Sequence, residues 1–315
     1  MSEMSSRPWA VVLAAGEGSR LKSLTRTSSG DIIPKQFCSL SRRECFLELA
    51  MARASAVVER ERICAIVAAQ HRRWWKSALA DTATTNIFVQ PSNRGTAIGV
   101  ALSLLQIEKR DPQATVLLLP ADHHVGNETA LAGALIQMTD LAGEHRDHIY
   151  MLGMEPDSPD TELGYIVPNR GLLDGAADVS AFVEKPSLEQ ARGLLAQGAL
   201  WNMFIVAGTV AAFLDLFDRS YNFVSLMRSM LRDGQPLGML NRLYKELPSV
   251  DFSRDVLSHQ VNCLRVVASP PCGWTDLGTP SRVAATVEAT RSRAGGAAGA
   301  SAMYLDLALS AGGGA

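Results

Sequence analysis

The sequence predicts an α/β protein built on a doubly wound, mixed but mainly parallel sheet, and three observations predict it. Short aliphatic runs recur along the chain, several without period-2 alternation, as strands covered on both faces require. Stretches of helical period separate the early runs. The residues least suited to a core collect just after those runs, at Gly16–Arg20, Gln90–Thr96 and Asp122. In an open α/β sheet that is where ligands bind, beyond the carboxyl ends of the strands.

The elements follow in order. Strand runs are "WAVVLAA", "ICAIVAA", "NIFVQ", "TVLLLPAD", "HIYMLGME", "VSAFVEKP", "LWNMFIVA" and "CLRVVAS". Helical patterns over Glu44–Val57, Ala97–Lys109 and Thr129–Leu141 lie between the first of them. After Glu155, clusters of Pro, Asp and Gly surround short strands, which reads as an insertion or lid region built onto the same sheet. Residues from about Ser220 to Leu247 read as helical. Residues 1–8 read as a flexible N-terminus, 9–294 as the folded domain, and the Gly, Ala and Ser-rich stretch 295–315 as a flexible or loosely docked tail.

Bulk properties exclude several function classes. With 315 residues and 47% hydrophobic content the chain can bury a sizeable core. A formal charge of −2 leaves no electrostatic footprint for nucleic acid or anionic lipid, so an anion site must be local. Five cysteines (Cys38, Cys45, Cys64, Cys263, Cys272) form no C-x-x-C pair and no zinc spacing, which suggests reduced structural thiols and a cytoplasmic location. The first apolar run stops at Gly16 and no later one reaches membrane-spanning length, so a soluble protein is expected.

The turn Gly16-Glu17-Gly18-Ser19-Arg20 can adopt positive φ, approach a ligand closely and aim amides at a phosphate. It is no dinucleotide fingerprint, because Leu21 stands where the third glycine belongs, and no P-loop, because Gly-Lys-Ser/Thr is absent. The glycines alone fit a plain strand-to-helix turn equally well. Arg20, and Lys35 fixed behind Pro34, shift the balance, since two cations near one such turn repel unless an anion lies between them. Asp122 read singly is a strand-end turn residue, and Asp276 a helix cap. Glu184-Lys185 before Pro186 reads as a charged pair on extended backbone at a strand end. His123 and His124 are left out of any magnesium ligand set, because that ion prefers oxygen. Trp74-Trp75 after Arg72-Arg73 reads as helix packing with snorkelling arginines rather than base stacking. Ser19 lacks the G-x-S-x-G setting of a hydrolase nucleophile.

Taken together, "LAAGEGSRL" and "PKQF" resemble the signature of the sugar-1-phosphate nucleotidyltransferases, and "PKQF" is most similar to their mannose-1-phosphate guanylyltransferase branch. Further stretches follow in that family's order: "QPSNRGTAIGVALSLL", "LLPADHHV", "DTELGYIVP", "FVEKPSLEQARGLLAQGALWN" and "GWTDLGTPSRV", over roughly residues 9 to 290. The resemblance implies a Rossmann-like nucleotidyltransferase fold, with residues 9–150 binding the nucleotide and an inserted sugar-binding or lid region within 151–294. It implies that Ala14, Ala15, Gly16, Gly18, Ser19, Arg20 and Lys35 hold the triphosphate, while Gln90, Gly95 and Thr96 meet the base. Asp122 and Asp276 would bind Mg2+, Asp122 also touching the nucleotide. Gly164, a turn glycine, Glu184, Lys185 and Asn202 would bind the sugar phosphate, with Arg20, Lys35 and Lys185 as the catalytic charges. The implied reaction joins a nucleoside triphosphate, GTP, to a sugar 1-phosphate, mannose 1-phosphate, and releases pyrophosphate; a homo-oligomer is compatible with it.

This chain departs from the family's pattern in three places. The insertion "TRTSSGDII" between Leu24 and Pro34 could reposition Lys35. "WNMF" stands where mannose-specific relatives carry Ser-Gly after Trp-Asn, and Asn93-Arg94-Gly95-Thr96-Ala97 permutes the usual base loop. A glucose-1-phosphate uridylyl- or thymidylyltransferase and a non-catalytic nucleotide-sugar-binding regulator are therefore the alternatives, and an NAD-dependent oxidoreductase is disfavoured by Leu21.

Overall fold

β-Branched and aliphatic runs without polar interruption can be buried on both faces, and they occupy the middle of the sheet. The computed structural model describes residues 7–293, apart from 28, 41–43, 174, 220 and 233–236. The expected tail, and most of the expected flexible N-terminus, lie outside the described residues.

Nine strands form one continuous sheet in the order β3-β2-β1-β4-β8-β5-β9-β7-β6. They are β1 (Trp9–Ala14), β2 (Ile63–Ala68), β3 (Ile87–Gln90), β4 (Thr115–Pro120), β5 (Ile149–Met154), β6 (Gly164–Leu173), β7 (Ala176–Glu184), β8 (Leu200–Thr209) and β9 (Leu264–Ala268). β3, β2, β1 and β4 pair in parallel, as do β5 and β9. β8 and β7 run against their neighbours, so the half of the sheet beyond β4 is laced with antiparallel pairs. The sheet is thus mixed as expected but not mainly parallel: it is parallel from β3 to β4 and chiefly antiparallel beyond, because β8 and β7 enter it reversed.

Among the described residues nine α-helices cover its faces: α1 (Phe46–Ser55), α2 (Arg72–Ala78), α3 (Thr96–Glu108), α4 (Glu128–Glu144), α5 (Leu188–Ala196), α6 (Val210–Asp218), α7 (Phe223–Arg232), α8 (Leu237–Glu246) and α9 (Pro280–Arg293). The strand period of two divides the core in two. Ala10, Val12, Ile63, Ala65, Leu117 and Leu119 pack under α1 and α4, while Val11, Cys64, Ile66, Val116 and Leu118 pack under α3, α6 and α7. α2 behaves as expected: Trp75 is buried, its Nε1 donates to the Ala68 carbonyl at 2.9 Å, and Arg73 lies over the Trp74 ring.

β6 is the strand absent from the sequence reading. Its first residue is Gly164, expected in a turn but paired with Glu184 of β7. Pro168 interrupts the apolar pattern, and the strand accommodates it through irregular register on either side. α2, α5 and α6 are too short for their period to stand out. The five cysteines are free, and burial pushes the thiols of Cys38, Cys45 and Cys64 up to about 12, so these three act as packing groups. No helix among the described residues is long and apolar enough to cross a membrane.

Phe217 is fully buried, stacks on Phe252 with ring centroids 5.7 Å apart, and meets Phe223 edge-on at 5.9 Å. Phe217→Ala is expected to destabilise the fold by about 3–5 kcal/mol in chemical denaturation; a loss below about 1 kcal/mol would contradict this packing.

Candidate active site

The site begins where β1 ends. Gly18 adopts a left-handed φ of 59°, and a Cβ there would stand 2.8 Å from the Lys35 backbone nitrogen. Glycine therefore lets the Pro34-Lys35 segment run directly against the loop. Gln36 locks the two together, its Nε2 donating to the Ala14 and Gly16 carbonyls at 2.9 Å each. Glu17 is drawn aside by the Gln70 Nε2, which donates to it at 2.8 Å, and by His71 at 3.6 Å. The side chain of Ser19 lies outside the described residues. The insertion folds back on itself, with Thr27 N–H donating to the Asp31 carbonyl and Ile33 N–H to that of Thr25. It leaves Lys35 within reach of the site.

Lys35 is buried, and its Nζ donates to Asp122 Oδ2 at 3.0 Å and to the Asp276 carbonyl. Asp276 is buried too. Its Oδ1 accepts from Gly278 N–H at 2.9 Å and from Arg282, while Oδ2 lies 3.4 Å from Arg20. Arg20 also meets Glu162 at 3.3 Å, and Arg282 also pairs with Asp160. Burial, the largest single influence, opposes ionisation of Asp122, but the Lys35 ammonium, His123 and Arg20 together outweigh it and hold the carboxyl below its ordinary range. At Asp276 burial wins over Lys35 and raises the pKa, with Asp122 adding repulsion. Burial lowers His123 to about 3, so its imidazole is neutral; Trp274 Nε1 donates to its Nδ1 at 3.2 Å.

Next to this network lies a cavity of about 280 Å³, lined by Leu13, Ala15, Gly16, Gly18 and Asp122, and on its other walls by Gln90, Gly95, Thr96, Phe204 and Asp251. Gln90 is 2% exposed and its Oε1 has no hydrogen-bond partner among the described residues. Gly95 caps α3 at φ 82°, and a methyl group there would fall inside the Val250 carbonyl. Asn93 Oδ1 accepts from Gly95 N–H at 2.9 Å, Thr96 Oγ1 accepts from Phe252 N–H at 2.9 Å, and Arg94 donates to the Tyr244 carbonyl at 2.6 Å. The loop is thereby clipped to the segment that carries Asp251.

On the far side, a Cβ on Gly164 would stand 2.5 Å from Glu184 Oε2 and 3.4 Å from the Asn202 Cβ, so these three expected sugar residues are together. Burial, then Asp251, pushes Glu184 up to about 7, and Arg20 acts on it as on Asp122 and Asp276. Asn202 Oδ1 is already engaged, accepting from Phe204 N–H at 2.9 Å. Lys185 departs from expectation. Its backbone is left-handed at φ 50° rather than extended, because its N–H turns back to the Leu163 carbonyl at 3.2 Å as β7 ends. Its exposed side chain forms no ion pair with a described residue, so it stands outside the Lys35 network.

The nucleotidyl transferase family model matches residues 9–292. The chain belongs to that family. It is 32% identical over 285 residues to the mannose-1-phosphate guanylyltransferase ManC of Salmonella typhimurium, covering 85% of this chain and 57% of that one. A mannose-1-phosphate guanylyltransferase of Klebsiella pneumoniae is 32% identical over 198 residues, covering 61% and 41%. The chain therefore spans less than three-fifths of the length of these curated relatives. The crystal structure of a protein named mannose-1-phosphate geranyltransferase from Thermus thermophilus superposes with TM-score 0.74 at 28% identity, covering 86% of this chain and 76% of that one. UDP-glucose pyrophosphorylase complexed with UDP-glucose, at 16% identity and TM-score 0.61, covers 91% and 99% and shares the fold alone.

Within this nucleotidyl transferase, sequence reasoning missed Gln36, Asp251, Arg282 and Phe204. Gln36 stood inside the quoted "PKQF", where an amide beside a loop lysine is a signal for a backbone clamp. Arg282 stood inside "GWTDLGTPSRV" and Phe204 inside "WNMF" with no role marked for either, and Asp251 lies in no pattern that composition or period marks.

Glu184 yields a pH prediction. An acid whose pKa rises from 4.5 to about 7 on folding binds its proton more tightly in the native state, so stability falls as pH rises across that window. Glu184→Gln should flatten this fall, worth about 1–3 kcal/mol, when denaturation midpoints are compared at the two ends; an unchanged slope would contradict it.

Proposed function

We propose that this chain transfers the guanylyl group of GTP to mannose 1-phosphate, giving GDP-mannose and pyrophosphate. The observation that carries the reading is the network in which Lys35 joins Asp122 to Asp276 while Arg20 reaches Asp276, beside a cavity bounded by the glycine loop. The guanylyltransferase relatives supply the choice of substrates. On this reading residues 9–150 hold the nucleotide and 151–294 the sugar phosphate, as Rossmann-like halves of one sheet with an inserted sugar-binding region. Free, buried thiols suit a reducing compartment such as the cytoplasm.

A phosphate oxygen of mannose 1-phosphate attacks the α-phosphorus of GTP, and the bond to the β-phosphate oxygen breaks in line. Both reactants are anions, so neutralisation and alignment are the protein's main contributions. Arg20 and Lys35 exchange their carboxylate partners for phosphate oxygens when the triphosphate arrives. That exchange frees Asp122 Oδ2 and Asp276 Oδ2 as ligands. Two carboxylates acting on each other across one cleft form the all-oxygen donor pair that suits Mg2+. Asp122 and Asp276 would hold the ion, which would supply positive charge to offset that of the phosphates. The orphaned Gln90 Oε1 accepts from a base N–H. Glu184 accepts from sugar hydroxyls, Asn202 offers its remaining amide donors, and the unpaired Lys185 ammonium reaches the sugar phosphate.

The test is a matrix of GTP, UTP, dTTP and ATP against mannose and glucose 1-phosphates, read by pyrophosphate release with and without Mg2+. GTP with mannose 1-phosphate should exceed every other pair by at least about tenfold, and only with the metal. Silence throughout would favour a nucleotide-sugar-binding regulator. In the same assay Lys35→Ala and Asp276→Asn should each lower kcat about 100-fold or more, and Lys185→Ala should chiefly raise KM for the sugar phosphate.

A further inference from the structure

A left-handed backbone at a bulky aromatic residue is rare, and Phe204 has a φ of 55°. It lies within β8 where the register against β5 shifts, between the pairs Gly153–Asn202 and Met151–Val206. Asn202 Oδ1, accepting from Phe204 N–H, holds the bulge in place. By the resemblance drawn from "WNMF", Phe204 occupies the position of a glycine in mannose-specific relatives. Strain of this kind persists only where the surroundings over-determine it, and it concentrates at ligand sites.

The ring is not used up by the core. It is half-buried, its inner part packing against core residues, and it stacks on no aromatic ring among the described residues. The rest lines the cavity. In that cavity β3 brings Gln90 to one end and β8 brings Phe204 to the other, three strands between them. A nucleoside that meets the Gln90 amide with the polar edge of its base turns the less polar C–H face of its ribose toward the phenyl ring.

We propose that Phe204 is a nucleotide-binding residue, its ring forming the apolar wall on which the ribose of the bound nucleoside triphosphate packs. The inference rests on the nucleotidyltransferase reading and adds to it a contact that a glycine cannot make. Its energetic source is the burial of C–H surface against an aromatic face.

Titration calorimetry of GTP with Mg2+ tests it, using wild type, Phe204→Gly, Phe204→Asn and Phe204→Tyr. Gly and Asn both tolerate the left-handed backbone and lack the ring, so each should bind GTP at least about tenfold more weakly, while Tyr stays within about threefold of wild type. The thermal midpoint of the ligand-free Gly variant should not fall, because the strained backbone relaxes. Wild-type affinity in the Gly and Asn variants overturns the proposal, and so does a change confined to KM for the sugar 1-phosphate. A lowered midpoint in both ringless variants, with Tyr as weak as they are, reduces Phe204 to packing and also overturns it. Wild type binding none of GTP, UTP, dTTP or ATP overturns the functional reading and this inference together.

Discussion

Everything in the cleft depends on a buried ammonium. Lys35 sits where burial would expel a lone charge, and it is retained because Asp122 and the Asp276 carbonyl both face it. Those partners are 87 and 241 residues away, so one side chain ties the ends of the sheet's central strands to the segment preceding α9. Removing either partner leaves a buried charge uncompensated, which costs more than the pair contributes. Glycine at 18 and the Gln36 clamp have the same purpose: they put Lys35 against the end of β1 with little freedom.

The arrangement also sets the charge balance of the substrate-free molecule. Arg20, Lys35 and Arg282 are each paired with acids, and a near-neutral protein thereby concentrates cations in one place without a repulsive excess. On the proposed reading, a triphosphate entering this site would trade one set of anionic partners for another. Its affinity would then reflect the difference between two pairings rather than the whole of either, and the released carboxylates would become available to a hard cation.

Much of this was legible in the sequence, for identifiable reasons. β1, β2 and β4 are buried on both faces, so their runs carry no charged residue, and the polar residues after them mark the cleft. Arg20, Lys35, Asp122 and Asp276, named before any geometry, share one network. β6 was hidden because Pro168 breaks its pattern. Lys185 defied the preference of a residue before proline: just past the end of β7 its backbone turns left-handed and its N–H donates to the Leu163 carbonyl, ahead of β6. Phe204 stood unmarked within the strand run "LWNMFIVA", since an aromatic residue inside an apolar strand has no outward sign of a positive φ. Arg282 stood near the end of "GWTDLGTPSRV" with no role marked for it, and only folding sets it against Asp276 and Asp160.

The insertion after Leu24 closes on itself: Thr25 and Ile33 are buried and hydrogen-bonded at its base, and Arg26 and Ile32 form an antiparallel bridge beyond them. The lysine that follows takes its position from Gln36 and Gly18, not from the length of chain preceding it. Length can consequently vary at the tip without moving Lys35, which makes the stretch around Gly30 a permissive place to graft a reporter peptide.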